Sequence, residues 1–274
     1  MEPVPAQAAR RLPDYHVHTR FSDGHDEPSA YAARAVRIGL PELGFSDHLR
    51  PSCLKEEGSY GMERSGLDDY VAAVRETAAA FPELRVLLGI ETDYLPEAAD
   101  EMAAALAAYP FDYVLCSVHF IDGFGFIERR NRKAALWRDV DRVWRRYYET
   151  LIEAVRTGAF DVVAHLDLPK KWGYRPAADM TALEDDALRA IAAADLAIEI
   201  NTSGYDRHPA DEMYPAPGLL ERARYAGIEI IVSSDAHRVA DLASSFAEAA
   251  ALARRAGYES SLRLSDRRPI ALPR

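Results

Sequence analysis

The strongest constraint in this chain is a regular alternation of short apolar segments with longer amphipathic ones. The short segments are Asp14–His18 (DYHVH), Glu42–Ser46 (ELGFS), Arg85–Ile90 (RVLLGI) and Asp112–Val118 (DYVLCSV). They continue with Asp161–His165 (DVVAH), Leu196–Asn201 (LAIEIN) and Ile228–Ser234 (IEIIVSS), and each reads as a strand. Alanine-rich helical stretches intervene at Ser29–Ile38, Leu67–Phe81, Glu97–Ala108, Lys133–Thr157, Ala182–Ala194, Ala216–Ala226 and Val239–Ala256. Gly39, Gly158, Gly227 and Gly257 fall where helices should end. Seven strands alternating with seven helices imply βαβ units and a parallel sheet. No repeat, linker or composition break divides the 274 residues. One domain spanning residues 1–274 is expected, with 1–12 as a flexible or peripheral segment. An open doubly wound sheet gives the same alternation as a barrel, so the polar residues must decide between them.

Those residues gather at the ends of the strands. The first strand ends in HVH, the second in SDH (Ser46–His48), the third in Glu91 and the fourth in SVH (Ser117–His119). The fifth ends in His165 and the seventh in SSDAH (Ser233–His237), so six of the eight histidines stand at or just past a strand end. Side chains at i and i+2 of a strand share a face. His16 and His18 therefore reach one space, and Asp235 and His237 do so if the chain stays extended past Ser234. Parallel barrels collect such residues in one mouth, whereas an open sheet gathers only those near its switch point. Six contributing strands favour an α/β barrel.

Each motif alone has a structural reading. An isolated HxH is weak, a lone strand-end histidine can be a hydrogen-bonding residue, and SDAH can cap a helix. Together they supply nine donors: His16, His18, Asp23, His48, Glu91, His119, His165, Asp235 and His237. That set is too large for one divalent ion and suits two or three sharing a bridging carboxylate. Imidazole and carboxylate without thiolate fit Zn²⁺, Mn²⁺ or Fe²⁺. Six neutral imidazoles and three carboxylates carry a formal charge of -3, and three divalent ions would turn that to +3. Such a pocket attracts a phosphate dianion and points to metal-assisted hydrolysis of a phosphate ester.

Composition narrows the partners. A formal net charge of -11, with no long Lys/Arg run, disfavours a general nucleic-acid or anionic-membrane binder. The two cysteines, Cys53 and Cys116, are far apart and make no paired-ligand spacing, as expected of a reduced, cytoplasmic protein. The first residues lack the apolar core of a signal peptide, and no apolar run reaches membrane-spanning length.

The ordered set HVH, SDG, GFSDH, GIE, SVH, AHLD, EIN and SSDAH resembles the polymerase-and-histidinol-phosphatase (PHP) family, from about Asp14 to Leu242. GFSDHL, SVHFIDG, HLDLPKKWG, EINTSGY and MYPAP resemble its stand-alone histidinol-phosphate phosphatase branch. The resemblance implies a distorted seven-stranded (β/α)7 barrel with a trinuclear metal site at the C-terminal ends of the strands. By motif, His16, His18, Glu91 and Asp235 would hold the first ion. Glu91 would bridge to the second, completed by His119 and His165. Asp23, His48 and His237 would hold the third, with His25 the alternative to Asp23 in that loop. Catalysis would then rest on Glu91, Asp235 and His237 through a metal-activated water, releasing L-histidinol and phosphate from L-histidinol phosphate. No serine or cysteine stands out as a nucleophile.

Cations and polar groups near the mouth are candidate substrate contacts: Lys170, Arg207, His208, Asn201, Arg238 and His25, with Lys171, Arg129 and Arg130 in the same loops. Asp47 could orient a ligand imidazole or bind loop backbone, and Trp172 and Tyr205 could line the pocket or anchor their own loops. The alternatives are a PHP phosphoesterase for another phosphometabolite, a nucleotide or a phosphotyrosyl protein, and a non-catalytic metal-binding barrel. A small phosphorylated substrate is the expected partner, with neither nucleic acid nor membrane.

Overall fold

The computed structural model describes residues 12–54, 60–205 and 207–273. The expectation for residues 1–12 lies outside these, except for Leu12, which is buried. From Asp14–His18 the chain runs into α1 (Pro28–Ile38), β1 (Glu42–Phe45) and β2 (His48–Leu49). Next come α2 (Leu67–Ala80), the long β3 (Arg85–Asp93), α3 (Ala99–Ala108) and β4 (Tyr113–Ser117). A small hairpin, β5 (Phe120–Ile121) and β6 (Phe124–Gly125), precedes α4 (Val140–Arg156). The order continues β7 (Val162–Val163), α5 (Thr181–Ala193), β8 (Ala197–Asn201), α6 (Pro217–Tyr225), β9 (Ile230–Ser233) and α7 (Phe246–Arg255). An antiparallel hairpin of β10 (Ser260–Arg263) and β11 (Arg268–Ala271) follows, which the strand pattern did not anticipate. No helix among the described residues is long and apolar enough to cross a membrane.

The main sheet is parallel, in the order β1-β3-β4-β7-β8-β9, with β2 also paired to β3. The Asp14–His18 segment stands between its two ends. On one side Gly44 N–H donates to Asp14 O at 2.8 Å and Ser46 N–H to Val17 O at 2.9 Å. On the other, His18 N–H donates to Ala236 O at 2.9 Å and Ala236 N–H to His16 O at 3.1 Å. These are isolated bridges, so the expected first strand is not a regular one. Asp14 ties the same seam: its carboxylate accepts from the Ser234 hydroxyl and, at 3.0 Å each, from the amides of Ser234 and Ala243.

Strand parity sorts the side chains. Leu87, Tyr113, Leu115, Val162, Ala197 and Ile231 pack together on one face with Tyr15 and with Leu262 of β10. Their neighbours Leu88, Ile90, Val114, Cys116, Val163, Ile198, Ile200 and Val232 belong to the larger core beneath the helices. Each buried side chain of this size contributes roughly 1.5–3 kcal/mol. The inner layer is close-fitting: a Cβ on Gly89 would lie 2.2 Å from Tyr113 Cζ, and one on Gly44 2.3 Å from the Tyr113 hydroxyl. That hydroxyl donates to Tyr15 O at 2.6 Å.

The helices follow the expected segments, with two corrections. Lys133–Thr157 is not one helix; α4 begins at Val140 because the Asp139 carboxylate accepts the Arg142 N–H at 3.0 Å. Val239–Ala256 also breaks, since Ala243 (φ 56°) and Ser245 (φ 55°) are left-handed and α7 begins only at Phe246. The Asp14 contact to the Ala243 amide fixes that break from outside the segment. Gly39 ends α1 at φ 75°, with the Leu40 N–H returning to Ala35 O at 3.0 Å.

Candidate metal centre

The strand faces that carry the inner apolar layer run upward into polar residues. On β3 the sequence Leu87, Gly89, Glu91 follows one face, and on β8 Ala197, Glu199, Asn201 does the same. Glu91 is fully buried. Its Oε2 lies 2.9 Å from His16 Nε2, 3.3 Å from His18 Nε2 and 3.1 Å from His48 Nδ1. Its Oε1 lies 3.0 Å from His165 Nε2 and 3.7 Å from His119 Nε2, and accepts the Ser117 hydroxyl. Asp235 Oδ1 stands 3.3 Å from His18 Nε2 and 3.6 Å from both His16 Nε2 and His237 Nδ1. Asp23 completes the group, with Oδ2 3.3 Å from His237 Nε2 and Oδ1 3.8 Å from both His18 Nδ1 and His48 Nε2.

These distances suit ligation. Two donor atoms at about 2.0–2.1 Å from one tetrahedral ion lie roughly 3.3 Å apart. Among the described residues, neither nitrogen of His18, nor Nδ1 of His48, finds a hydrogen-bond partner, although all three are buried. An unpaired buried imidazole is costly unless its lone pair is otherwise engaged. The donor atoms form three overlapping groups: His18, Asp23, His48 and His237; His16, His18 and Glu91; His48, Glu91 and His119. Within each group they lie within 4.8 Å of one another. The expected third set therefore also meets His18, and His48 also borders the second. His165 joins through Glu91 and through His119, whose Nε2 is 3.2 Å from its own.

Electrostatics binds the cluster together. Burial would raise the Glu91 and Asp235 carboxyls, but the surrounding imidazoles hold both well below the usual carboxylate range. Burial would likewise lower His16 and His237; adjacent carboxylates outweigh it, pushing His237 up to about 9 and His16 well above the ordinary histidine value. His48 goes the other way, down to about 3, because burial and the neighbouring His18 exceed the pull of Glu91 and Asp23.

Behind these groups stand carboxylates that the sequence reading did not single out. Glu199 receives four donors: His16 Nδ1 at 2.9 Å, the His165 amide at 2.6 Å, Asn201 Nδ2 at 2.7 Å and the Ser233 hydroxyl. Asp93 accepts the His119 amide at 2.6 Å, faces His119 Nδ1 at 3.2 Å and accepts the Tyr60 hydroxyl. The available signal was a charged residue inside an apolar strand at the i+2 spacing, as in LAIEIN and GIETD. Asp47 binds loop backbone: it accepts Thr19 N and Oγ1 at 2.8 Å each and Ser22 Oγ at 2.6 Å, which fixes the loop carrying Asp23.

The cluster opens into a cavity of about 460 Å³. Its walls add Lys171, Arg129, Glu128, His208, Ser203, Tyr60, Ile127 and Leu168 to the acidic and imidazole groups. Several expected substrate contacts lie elsewhere. Lys170 is fully buried, its Nζ 3.0 Å from Asp167 Oδ2 and 2.7 Å from Met213 O, so the cavity receives Lys171 instead. Arg207 donates to Ser234 O at 3.0 Å, which draws it away from the cavity wall. Asn201 braces Glu199 and Asp235, its Nδ2 reaching the latter at 3.3 Å. Arg238 does not line the cavity. His25 is exposed and contributes its backbone N–H to His237 O at 2.9 Å, while Asp23 is the residue of that loop that groups with His18, His48 and His237. His208 does line the cavity; its Nδ1 lies 3.0 Å from the Tyr214 hydroxyl, and burial with Lys171 pushes it down to about 3. Asp235 is left-handed at φ 51°, so SSDAH reaches the site through a bend and not by the extended spacing expected. Trp172 donates from its indole to Phe126 O at 2.9 Å and anchors its own loop.

Comparison with known proteins gives four findings. The sequence model of the PHP domain matches residues 14–203. A Deinococcus radiodurans protein named "Probable histidinol-phosphatase" is 35% identical over 87% of this chain and 91% of its own length. The histidinol-phosphatase of Bacillus subtilis is 24% identical over 84% of this chain and 94% of its own. A crystal structure of histidinol phosphate phosphatase from Lactococcus lactis, complexed with zinc, L-histidinol and phosphate, has the same fold. It aligns with a TM-score of 0.80 at 22% identity, covering 94% of this chain and 98% of that one.

Proposed function

This chain belongs to the PHP domain family, and from that premise we propose that it hydrolyses L-histidinol phosphate to L-histidinol and phosphate as a metal-dependent phosphomonoesterase. The observation that carries the reading is the convergence of nine donors, five imidazoles among them facing the Glu91 carboxylate, beside a cavity that also holds Lys171 and Arg129. Supporting it, the relatives with these names span nearly the whole chain. We take the Asp14–His18 segment and the six-strand path as one distorted seven-membered barrel forming a single domain, with the site at the C-terminal ends of its strands.

Two or three divalent ions fit the donors. His16, His18, Glu91 and Asp235 would hold one, Glu91, His119 and His165 a second, and Asp23, His48 and His237 a third. Such ions supply Lewis acidity that lowers the pKa of water and offsets phosphoryl charge. The chain does the positioning. Glu199 and Asp93 hold the Nδ1 sides of His16 and His119, so that each Nε2 lone pair is presented to the centre. Lys171 and Arg129 offset charge on the phosphoryl oxygens as water attacks phosphorus in line and the ester P–O bond breaks. The departing alkoxide takes up a proton released by the attacking water, so the reaction consumes no external acid. His208 is neutral at physiological pH and offers the cavity its second ring nitrogen.

The test is phosphate release from L-histidinol phosphate by protein purified without chelator, paired with metal analysis. A panel of a nucleotide monophosphate, a sugar phosphate and a phosphotyrosyl peptide ranks the alternatives by kcat/KM. Metal-loaded protein that releases no phosphate from L-histidinol phosphate overturns the substrate assignment.

A further inference from the structure

Among the described residues, and apart from the candidate metal ligands, the cavity wall holds two cations, Lys171 and Arg129, and one further carboxylate, Glu128. The cations suit a phosphate dianion and the carboxylate opposes it. Among the described residues the Glu128 carboxylate pairs with Arg130, whose Nε lies 2.5 Å from Oε2. Arg130 is 56% exposed, so this pair is worth little in water and an incoming ammonium displaces it readily.

The loop that carries Glu128 is held in place. Phe126 N–H donates to His119 O at 3.1 Å, Trp172 Nε1 to Phe126 O at 2.9 Å, and Asn131 N–H to Glu128 O at 2.8 Å. The loop is thus fastened to His119, a candidate metal ligand just past β4. Gly125 makes room for the carboxylate, since a Cβ there would lie 2.9 Å from Glu128 Oε1. Ile127 and Leu168 supply apolar wall in the same cavity.

Resting on the phosphomonoesterase reading, we propose that Glu128 is a specificity-determining residue that recognises a cationic amine on the leaving alcohol. L-Histidinol phosphate, the substrate already proposed, would then lie with its phosphate toward the candidate metal ligands and Lys171, its carbon skeleton along Ile127 and Leu168, and its ammonium at Glu128. This explains why an acidic group is built into a cavity otherwise suited to an anion.

The experiment compares kcat/KM for L-histidinol phosphate with that for p-nitrophenyl phosphate, whose leaving group carries no cation, using metal-loaded protein. In Glu128→Gln the ratio of the two should fall roughly tenfold, chiefly through KM for the amine substrate, as expected for loss of a charged hydrogen bond. Arg130→Ala, a change at an exposed position, should lower KM for the amine substrate by freeing the carboxylate. An unchanged ratio in Glu128→Gln, or a KM for the amine substrate that does not fall in Arg130→Ala, overturns the inference. Native protein active on p-nitrophenyl phosphate and inert toward amino-alcohol phosphates also overturns it, while leaving a phosphatase. Native protein inert toward both substrates overturns this inference and the phosphomonoesterase reading together.

Discussion

Replacing Glu199 by glutamine changes one oxygen to an amide nitrogen at a fully buried group that does not line the cavity beside the cluster. In the native chain Oε2 accepts from His16 Nδ1 and the Ser233 hydroxyl, and Oε1 from the His165 amide and Asn201 Nδ2. All four neighbours donate, so the NH₂ of a glutamine must confront two donors whichever way it turns. Facing His165 and Asn201, it sets N–H against a backbone N–H that cannot rotate. Facing His16, it is satisfied only if Nδ1 becomes the acceptor, which moves the ring proton to Nε2. That nitrogen lies 2.9 Å from Glu91 and 3.6 Å from Asp235, so its lone pair would be lost to the metal centre. Loss of such a supporting partner lowers metal affinity roughly 10- to 100-fold, about 1.4–2.8 kcal/mol. Competition against a chelator of known affinity measures this, with the melting temperature of the metal-free proteins as a control for folding. A Glu199→Gln protein that folds and binds metal within twofold of the native protein refutes the tautomer argument.

Three further outcomes are expected. Metal loading at pH 7 should release protons, because His237 is pushed up to about 9 and His16 and His119 are also raised by adjacent carboxylates, so they carry protons that ligation must displace. Calorimetry in buffers of different ionisation enthalpy counts them, and a count of zero contradicts the reading. Lys170→Met removes the partner of buried Asp167 and should destabilise the protein by roughly 3–5 kcal/mol at pH 7. Burial already raises Asp167 to about 6 despite Lys170. Its folded pKa thus exceeds the unfolded one, and the protonated form's stabilisation is present in acid and lost as pH rises through about 6. The deficit measured by urea unfolding should therefore shrink from pH 7 to pH 5; a deficit that is constant or grows in acid counts against this. Gly89→Ala drives a methyl into the Tyr113 ring, where Cζ would be 2.2 Å away, and should cost roughly 1–3 kcal/mol in the same assay. A change within experimental scatter shows that the inner layer is looser than described.

The alternation of strands and helices, and the concentration of histidines at strand ends, were readable because both depend on local periodicity. A strand repeats every two residues wherever it packs, so Ser117 and His119 could be given one face from the sequence alone. The first pair, His16 and His18, was found for the same reason, although its segment is only bridged to its neighbours. Glu199 and Asp93 carried the same signal, and they were overlooked because a lone acid in an apolar strand does not state its partner.

What the sequence by itself determined was the set of chemical groups and the end of the sheet at which they gather. Tertiary structure alone decided which neighbour faces the cavity. Lys170 and Lys171 are adjacent and chemically alike, but in the short 3₁₀ turn Leu168–Trp172 successive side chains diverge. One enters a buried pair with Asp167 and the other lines the site. Asp235 reaches the centre through a left-handed residue, beside a seam where Asp14 binds Ser234 220 residues away. Local pattern cannot encode such choices, because they are settled by contacts between segments distant in the chain.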